Sequence, residues 1–290
     1  MLTSQSPPIT PHTRAVGSGP TVLCLHSSTS SSRQWLGLME TLERDHRVVA
    51  VDLFGYGKTL PWPNHRPLSL DDEVDLVAPV IAAAHGPLHL VGHSYGGAVA
   101  ARAALRFPQR IASLTLYEPV LFNLLIENAS SSAASAEIIE VEREVRTRVE
   151  TADYIGAAQQ FIDYWSGSGA WYGLPDWRRE KLAERIAKAV CDFDATFGDK
   201  TPLRAYGQFR RPTLLLYGLR SPSASRRIVE LLGTAWPHAE IRGLLELGHL
   251  GPVTHPGRID HAIAGFLRGL SNVVIRPTII NMPATRDAIA

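Results

Sequence analysis

Ser94 stands at the centre of Gly92-His93-Ser94-Tyr95-Gly96, directly after Leu88-His89-Leu90-Val91 and just ahead of the small-residue run Ala98–Phe107. The first of these flanks reads as a buried strand and the second as a helix. A G-x-S-x-G turn between strand and helix is so sharp that its serine takes strained backbone angles. A Cβ at either flanking glycine would collide with the neighbouring strand or helix. Such a nucleophile elbow lifts the serine hydroxyl out at the end of a sheet, beside helix N–H groups that favour a developing negative charge. The chemistry this implies is attack on an acyl carbonyl, provided a base can take the hydroxyl proton.

Among eleven histidines, His249 suits that base best. It sits in Glu246-Leu247-Gly248-His249-Leu250-Gly251-Pro252, a glycine-bounded loop after the last expected strand. His255 precedes Pro256 and reads as a helix-entry residue, and His93 is fixed inside the turn with its ring aimed away from Ser94. The tetrahedral oxyanion needs two preorganised N–H donors. Tyr95, the residue after the nucleophile, supplies one. The loop Leu25-His26-Ser27-Ser28-Thr29, at the end of the first expected strand, supplies the other through Ser28.

The elements that must position these groups are visible as short apolar runs alternating with helical patterns. The runs are Thr21–Leu25, Arg47–Val51, Leu88–Val91, Ala112–Tyr117, Thr213–Tyr217 and Glu240–Leu245. Most lack polar alternation, which predicts strands covered on both faces. Helical patterns at Trp35–Arg44, Leu70–Ala84, Tyr95–Phe107, Ala224–Trp236 and Arg258–Leu270 separate them. Strand and helix in repetition predict an α/β fold with a mostly parallel sheet and helices on both faces. Between about Phe122 and Phe209 the pattern becomes wholly helical, with segments at Glu137–Thr151, Ile155–Trp165 and Asp176–Phe197. The Ser/Ala stretch Ala129–Ala136 reads as a flexible entry to that block or as a poorly capped helix start. The resulting division is a core of residues 1–121 and 210–270, a helical block of 122–209 and a tail of 271–290, in which Val273-Val274-Ile275 could form an edge strand.

The formal net charge is +1 with no long run of either sign, so nothing points to nucleic acid or to an anionic membrane surface. No window of eighteen apolar residues suggests a membrane span. The two cysteines, Cys24 and Cys191, lie far apart, and Cys24 falls in an apolar run. Both are expected reduced, and the chain reads as cytoplasmic. The first twenty residues lack an apolar signal-peptide segment. Homodimerisation stays open, and no metal-ligand pattern stands out.

Taken together, from Gly17 to Leu270, the chain resembles capped enzymes of the α/β-hydrolase fold with esterase-, lipase- and haloperoxidase-like relatives. The landmarks are His26, Asp52-Leu53-Phe54-Gly55-Tyr56-Gly57, Gly92–Gly96, Gly218 and Gly248-His249, in that order. The resemblance implies a Ser-acid-His triad in chain order, a helical cap inserted after the sixth strand, and no cofactor. Two departures stand out. Ser27 follows His26 where the family commonly has glycine, a change that leaves the backbone N–H groups in place. More seriously, Gly218-Leu219-Arg220-Ser221 puts a serine where most relatives carry the triad aspartate. Some relatives with related folds place the acid after the preceding strand. Here that place is Glu118, in Leu116-Tyr117-Glu118-Pro119. Asp192, Asp194 and Asp199 are the alternatives, with Ser221 acting through water as a further one.

Aromatic residues gather where a substrate would lie. Trp35, Trp165, Trp171, Tyr172 and Leu250 are the expected substrate-binding residues, around a mainly apolar pocket suited to a small or medium uncharged ester. Arg33 is the one cationic candidate for binding an anion. The sequence therefore predicts a cofactor-independent serine hydrolase acting on a small-molecule ester. Lyase, perhydrolase or haloperoxidase-like chemistry on the same triad, or a receptor-like protein with little turnover, are the competing readings. A serine nucleophile excludes the alkyl-ester chemistry of dehalogenases and epoxide hydrolases of this fold, which needs an aspartate.

Overall fold

The computed structural model describes residues 9–129 and 133–274. Seven strands form one sheet: β1 (Thr13–Val16), β2 (Thr21–Leu25), β3 (Arg47–Val51), β4 (Leu88–His93), β5 (Ile111–Tyr117), β6 (Thr213–Gly218) and β7 (Glu240–Leu244). Their order across the sheet is β1-β3-β2-β4-β5-β6-β7. β1 runs antiparallel to β3, and every other pairing is parallel.

All five residues of β2 are buried, and they divide by alternation between two cores. Leu23 and Leu25 join Val49, Val51, Leu90, Leu114 and Leu116 on one face. Val22 and Cys24 join Val48, Ala50, Val91, Leu214 and Leu216 on the other. A strand side-chain period of two, with apolar residues on both phases, is what a doubly covered sheet requires. Leu38, Met39 and Leu42 of the helix Leu36–Leu42, with Ile259, Ile263 and Leu267 of the helix Pro256–Val274, cover the second face. The first is covered by the helices Leu70–Ala83, Tyr95–Arg106 and Ser223–Ala235 and by residues of the helical insertion. Ser69 starts Leu70–Ala83 with a capping box closed by Asp72.

The insertion leaves the sheet after β5, the fifth strand counted in this chain rather than the sixth, and returns at β6. Its helices are Phe122–Ala129, Ala133–Glu150, Tyr154–Ser166, Asp176–Gly198 and the short Leu203–Tyr206, with a 3-10 turn at Ala170–Gly173. Of the Ser/Ala stretch, 133–136 is helical and 130–132 lies outside the described residues. Of the edge-strand candidate Val273-Val274-Ile275, the first two residues are helical. Val273 and Val274 end the helix Pro256–Val274, and the rest of the tail lies outside the described residues.

Because β2, β4, β5, β6 and β7 are parallel, their carboxyl ends deliver the loops beginning at His26, Ser94, Glu118, Leu219 and Leu245 to one edge. The register sets Gly92 beside both Leu25 and Leu116, and His93 beside Tyr117.

Candidate active site

Ser94 caps the helix Tyr95–Arg106 with φ 55° and ψ −118°, in the strained geometry expected of an elbow. The flanking glycines are required by close approach. A Cβ on Gly92 would lie 2.5 Å from the Gly96 carbonyl oxygen, and one on Gly96 would lie 2.4 Å from the carbonyl oxygens of Leu25 and His26. The turn is fixed by the Ser94 N–H donating to the Tyr117 carbonyl (3.0 Å) and by the Val120 N–H donating to the Ser94 carbonyl (3.2 Å).

Ser94 Oγ lies 2.9 Å from His249 Nε2, and His249 Nδ1 lies 2.6 Å from Glu118 Oε2. With Nδ1 protonated, Nε2 is left free to accept the serine proton. Glu118 has a positive φ of 43° and a fully buried side chain. Its other oxygen, Oε1, accepts from the Gly218 N–H (2.6 Å) and from the Ser221 hydroxyl. The serine at the usual aspartate position thus steadies Glu118 instead of meeting His249. None of the alternative carboxylates reaches the imidazole. Asp192 accepts from Ser28 and Tyr56, Asp194 pairs with Arg146, and Asp199 accepts from Thr201.

The loop carrying His249 is braced from below. His93 Nε2 donates to the His249 carbonyl (2.9 Å), and the Tyr117 hydroxyl donates to the Gly248 carbonyl (2.7 Å). Burial, together with the nearby His249, pushes the His93 pKa well below its ordinary value, so it serves as a neutral donor. Trp165 stacks on the other side of His249, with ring centroids 3.9 Å apart and planes inclined by 29°. These two braces were missed because nothing in sequence ties the His93 ring, read as fixed inside the turn, or the strand residue Tyr117 to a loop more than 130 residues away.

Tyr95 occupies the first helical position, where an N–H has no partner inside the helix. The Ser28 N–H makes no hydrogen bond among the described residues. The neighbouring Ser27 uses both its N–H and its hydroxyl on Gln34 Oε1, at 3.1 and 3.0 Å. The Gly96 N–H donates to the His26 carbonyl (3.1 Å), which ties this loop to the elbow. The Ser28 hydroxyl donates to Asp192 Oδ2 (2.6 Å), as does the Tyr56 hydroxyl (2.5 Å). Lys188 holds the other Asp192 oxygen and reaches Glu73 Oε1 at 3.5 Å. Burial raises Glu73 to about 7, despite the lowering effect of Lys188. This buried cluster joins the insertion helix Asp176–Gly198 to the Ser28 loop, a connection with no sequence signature.

A small pocket of about 20 Å³ surrounds Ser94, with Val120, Phe122, Phe161, Trp165 and Phe193 among its walls. Of the expected substrate-binding residues, Trp165 alone lines it. Leu250 lines a separate cleft next to it. Trp171 is buried in the core of the insertion. Tyr172 is 70% exposed, its hydroxyl accepting from Gln159. Trp35 packs below the sheet with Leu38 and Met39, on the face opposite the elbow helix. These three corrections share one cause: residue type signals a large apolar surface but not the face it covers.

A sequence model of the alpha/beta hydrolase family matches residues 22–262. The chain belongs to that family. The lipase LipV of Mycobacterium tuberculosis is 31% identical over 156 residues, which span 53% of this hydrolase and about half, 52%, of the lipase. The pimeloyl-(acyl-carrier protein) methyl ester esterase of Aeromonas hydrophila is 25% identical over 274 residues, 87% of this chain and 96% of that enzyme. An esterase structure from Thermogutta terrifontis agrees in fold, with a TM-score of 0.68 at 23% identity over 90% of this hydrolase and 93% of that chain. No described helix is long and apolar enough to cross a membrane.

Proposed function

We propose that this alpha/beta hydrolase is a serine esterase that works through an acyl-enzyme on Ser94, with residues 122–209 as its cap and 1–121 with 210–270 as its core. The observation that carries this reading is the buried line Ser94–His249–Glu118, with links of 2.9 and 2.6 Å. As Ser94 Oγ attacks the ester carbonyl, His249 Nε2 takes its proton, and Glu118 stabilises the imidazolium and keeps the ring in the required tautomer. The N–H groups of Ser28 and Tyr95 receive the oxyanion. His249 then protonates the leaving alkoxide, and a water activated by the same ring hydrolyses the acyl-enzyme. Trp165 over the imidazole keeps bulk water from the relay, which strengthens its electrostatics. The two cysteines are free, in keeping with a reducing, cytoplasmic setting.

A fluorophosphonate probe should label Ser94 in the folded protein, and short-chain esters should be turned over by the wild type but not by Ser94→Ala. Absence of both labelling and ester turnover would sink the proposal. Labelling without ester turnover would favour lyase or perhydrolase chemistry on the same residues.

A further inference from the structure

We propose that the cleft beside Ser94 binds the anionic alcohol portion of the substrate, so that the enzyme cleaves a short apolar acyl group from an alcohol bearing a carboxylate or phosphate. This inference rests on the esterase reading and names its substrate class. The cleft has a volume of about 890 Å³ and lies between the insertion helices and the loop after β2. That volume is typical of a small-molecule site, whereas the 20 Å³ around Ser94 holds little more than a water-sized group.

Six basic side chains line the cleft: Arg14, Arg33, Lys58, Arg178, Lys181 and Arg185. Among the described residues none of them forms an ion pair. Arg14 donates to the Ser32 hydroxyl (3.2 Å), Arg185 donates to the Thr29 carbonyl (3.1 Å), and Lys181 lies over the Trp177 ring. Four other arginines on the insertion are neutralised: Arg143 by Glu140, Arg146 by Glu142 and Asp194, Arg148 by Asp153, and Arg179 by Asp176. Arg178, adjacent in sequence to Arg179, has no such partner. Asp52 is the one carboxylate lining the cleft, and it is only 2% exposed. It already accepts from His12 Nδ1 and from the N–H groups of Ser32 and Lys58. Uncompensated positive charge around a concave surface attracts and orients an anion, and guanidinium groups suit carboxylate and phosphate alike. Ile162, Leu174, Leu182 and Leu250 supply an apolar wall for the rest of the ligand.

The cleft and the Ser94 pocket adjoin. Ser28 lines one and Thr29 the other, as do Phe161 and Ile162, and Trp165 and Ser166. Leu250 and Val253, which follow His249 closely in the chain, also line the cleft and so bring it near the residue that must protonate the leaving oxygen. The alcohol therefore extends into the cleft, and the closed aromatic pocket receives the methyl of an acetyl group.

Three acetyl esters test this: methyl 4-acetoxybenzoate, 4-acetoxybenzoate and 4-acetoxyphenyl phosphate. They are compared between the wild type and a variant carrying Arg33→Gln, Lys58→Gln, Arg178→Gln and Lys181→Gln, with Ser94 labelling as the check on folding. Intrinsic reactivity cancels within each ester. The variant should lose at least roughly tenfold in kcat/KM on an anionic ester relative to the neutral one, mainly through KM, and high salt should reproduce the loss in the wild type. The anionic ester that loses more identifies carboxylate or phosphate as the natural group. If all three esters change by the same factor, the anion site is refuted while the esterase reading stands. If Ser94→Ala cleaves all three as fast as the wild type, or the wild type cleaves none and is not labelled, the esterase reading itself falls.

Discussion

Glu118 is held by three donors that leave it one task each way: Gly218 and Ser221 occupy Oε1, and His249 occupies Oε2. Glu118→Gln would preserve the shape and the contact with Gly218, but it would present an amide N–H to Nδ1. The imidazole would then take the opposite tautomer, with a proton on Nε2 facing Ser94 and no lone pair to accept another. We expect kcat to fall by roughly two to four orders of magnitude with the fold intact, as steady-state kinetics and a thermal melt would show. A fall below tenfold would move the role to another group. Ser94 and His249 were legible because turn chemistry and a glycine-bounded loop restrict where such residues stand. Glu118 was legible through its place at the end of β5, where a parallel sheet must deliver it to the same edge. Trp35 and Tyr172 were misread because an aromatic side chain carries no mark of which layer it joins.

The elements are coupled where the insertion helix Asp176–Gly198 meets the loop after β2. Asp192 receives the Ser28 and Tyr56 hydroxyls and is paired with Lys188. Asp192→Ala would leave Lys188 buried with the longer contact to Glu73 as its one ion pair and would free the Ser28 loop. A broken buried pair typically costs about 3–5 kcal/mol, so the urea midpoint should fall by that equivalent and kcat should fall with it. Lys188→Met combined with Asp192→Leu should recover much of the stability but not kcat, because the tether to Ser28 would still be missing. Unchanged kcat in Asp192→Ala would show that the loop holds its own geometry. Most strands were legible from their apolar runs, β2 and β3 to the residue. β1 was not, since Thr13-Arg14-Ala15-Val16 alternates between exposed and half-buried positions on the sheet edge. The basic cleft was equally hidden: its six cations come from separate segments that only the tertiary fold assembles, and the sequence singled out Arg33 alone.

For the molecule as a whole, buried ionisable groups set two opposing pH dependences of stability. Burial lowers His26 and His89 to about 4 from the ordinary 6.5. As pH falls below 6.5 the unfolded chain takes up these protons first, so their contribution is lost toward pH 4. Burial raises Glu73 and Asp260 to about 7, and here the sign reverses. Their contribution is complete below the unfolded-state pKa and is lost as pH rises toward 7. Asp260 separates the two trends. It is 6% exposed, its carboxylate makes no hydrogen bond or ion pair among the described residues, and Glu40 adds repulsion. In Asp260→Asn the native state no longer has to bury a charge above pH 7, and the unfolded state no longer gains by ionising from 3.8 upward. The variant's gain in unfolding free energy over the wild type should therefore be greater at about pH 8 than at about pH 4.5, by about 3 kcal/mol. Urea titrations of both proteins at the two pH values measure that difference directly. An equal gain at both would mean that Asp260 keeps its charge in the native state.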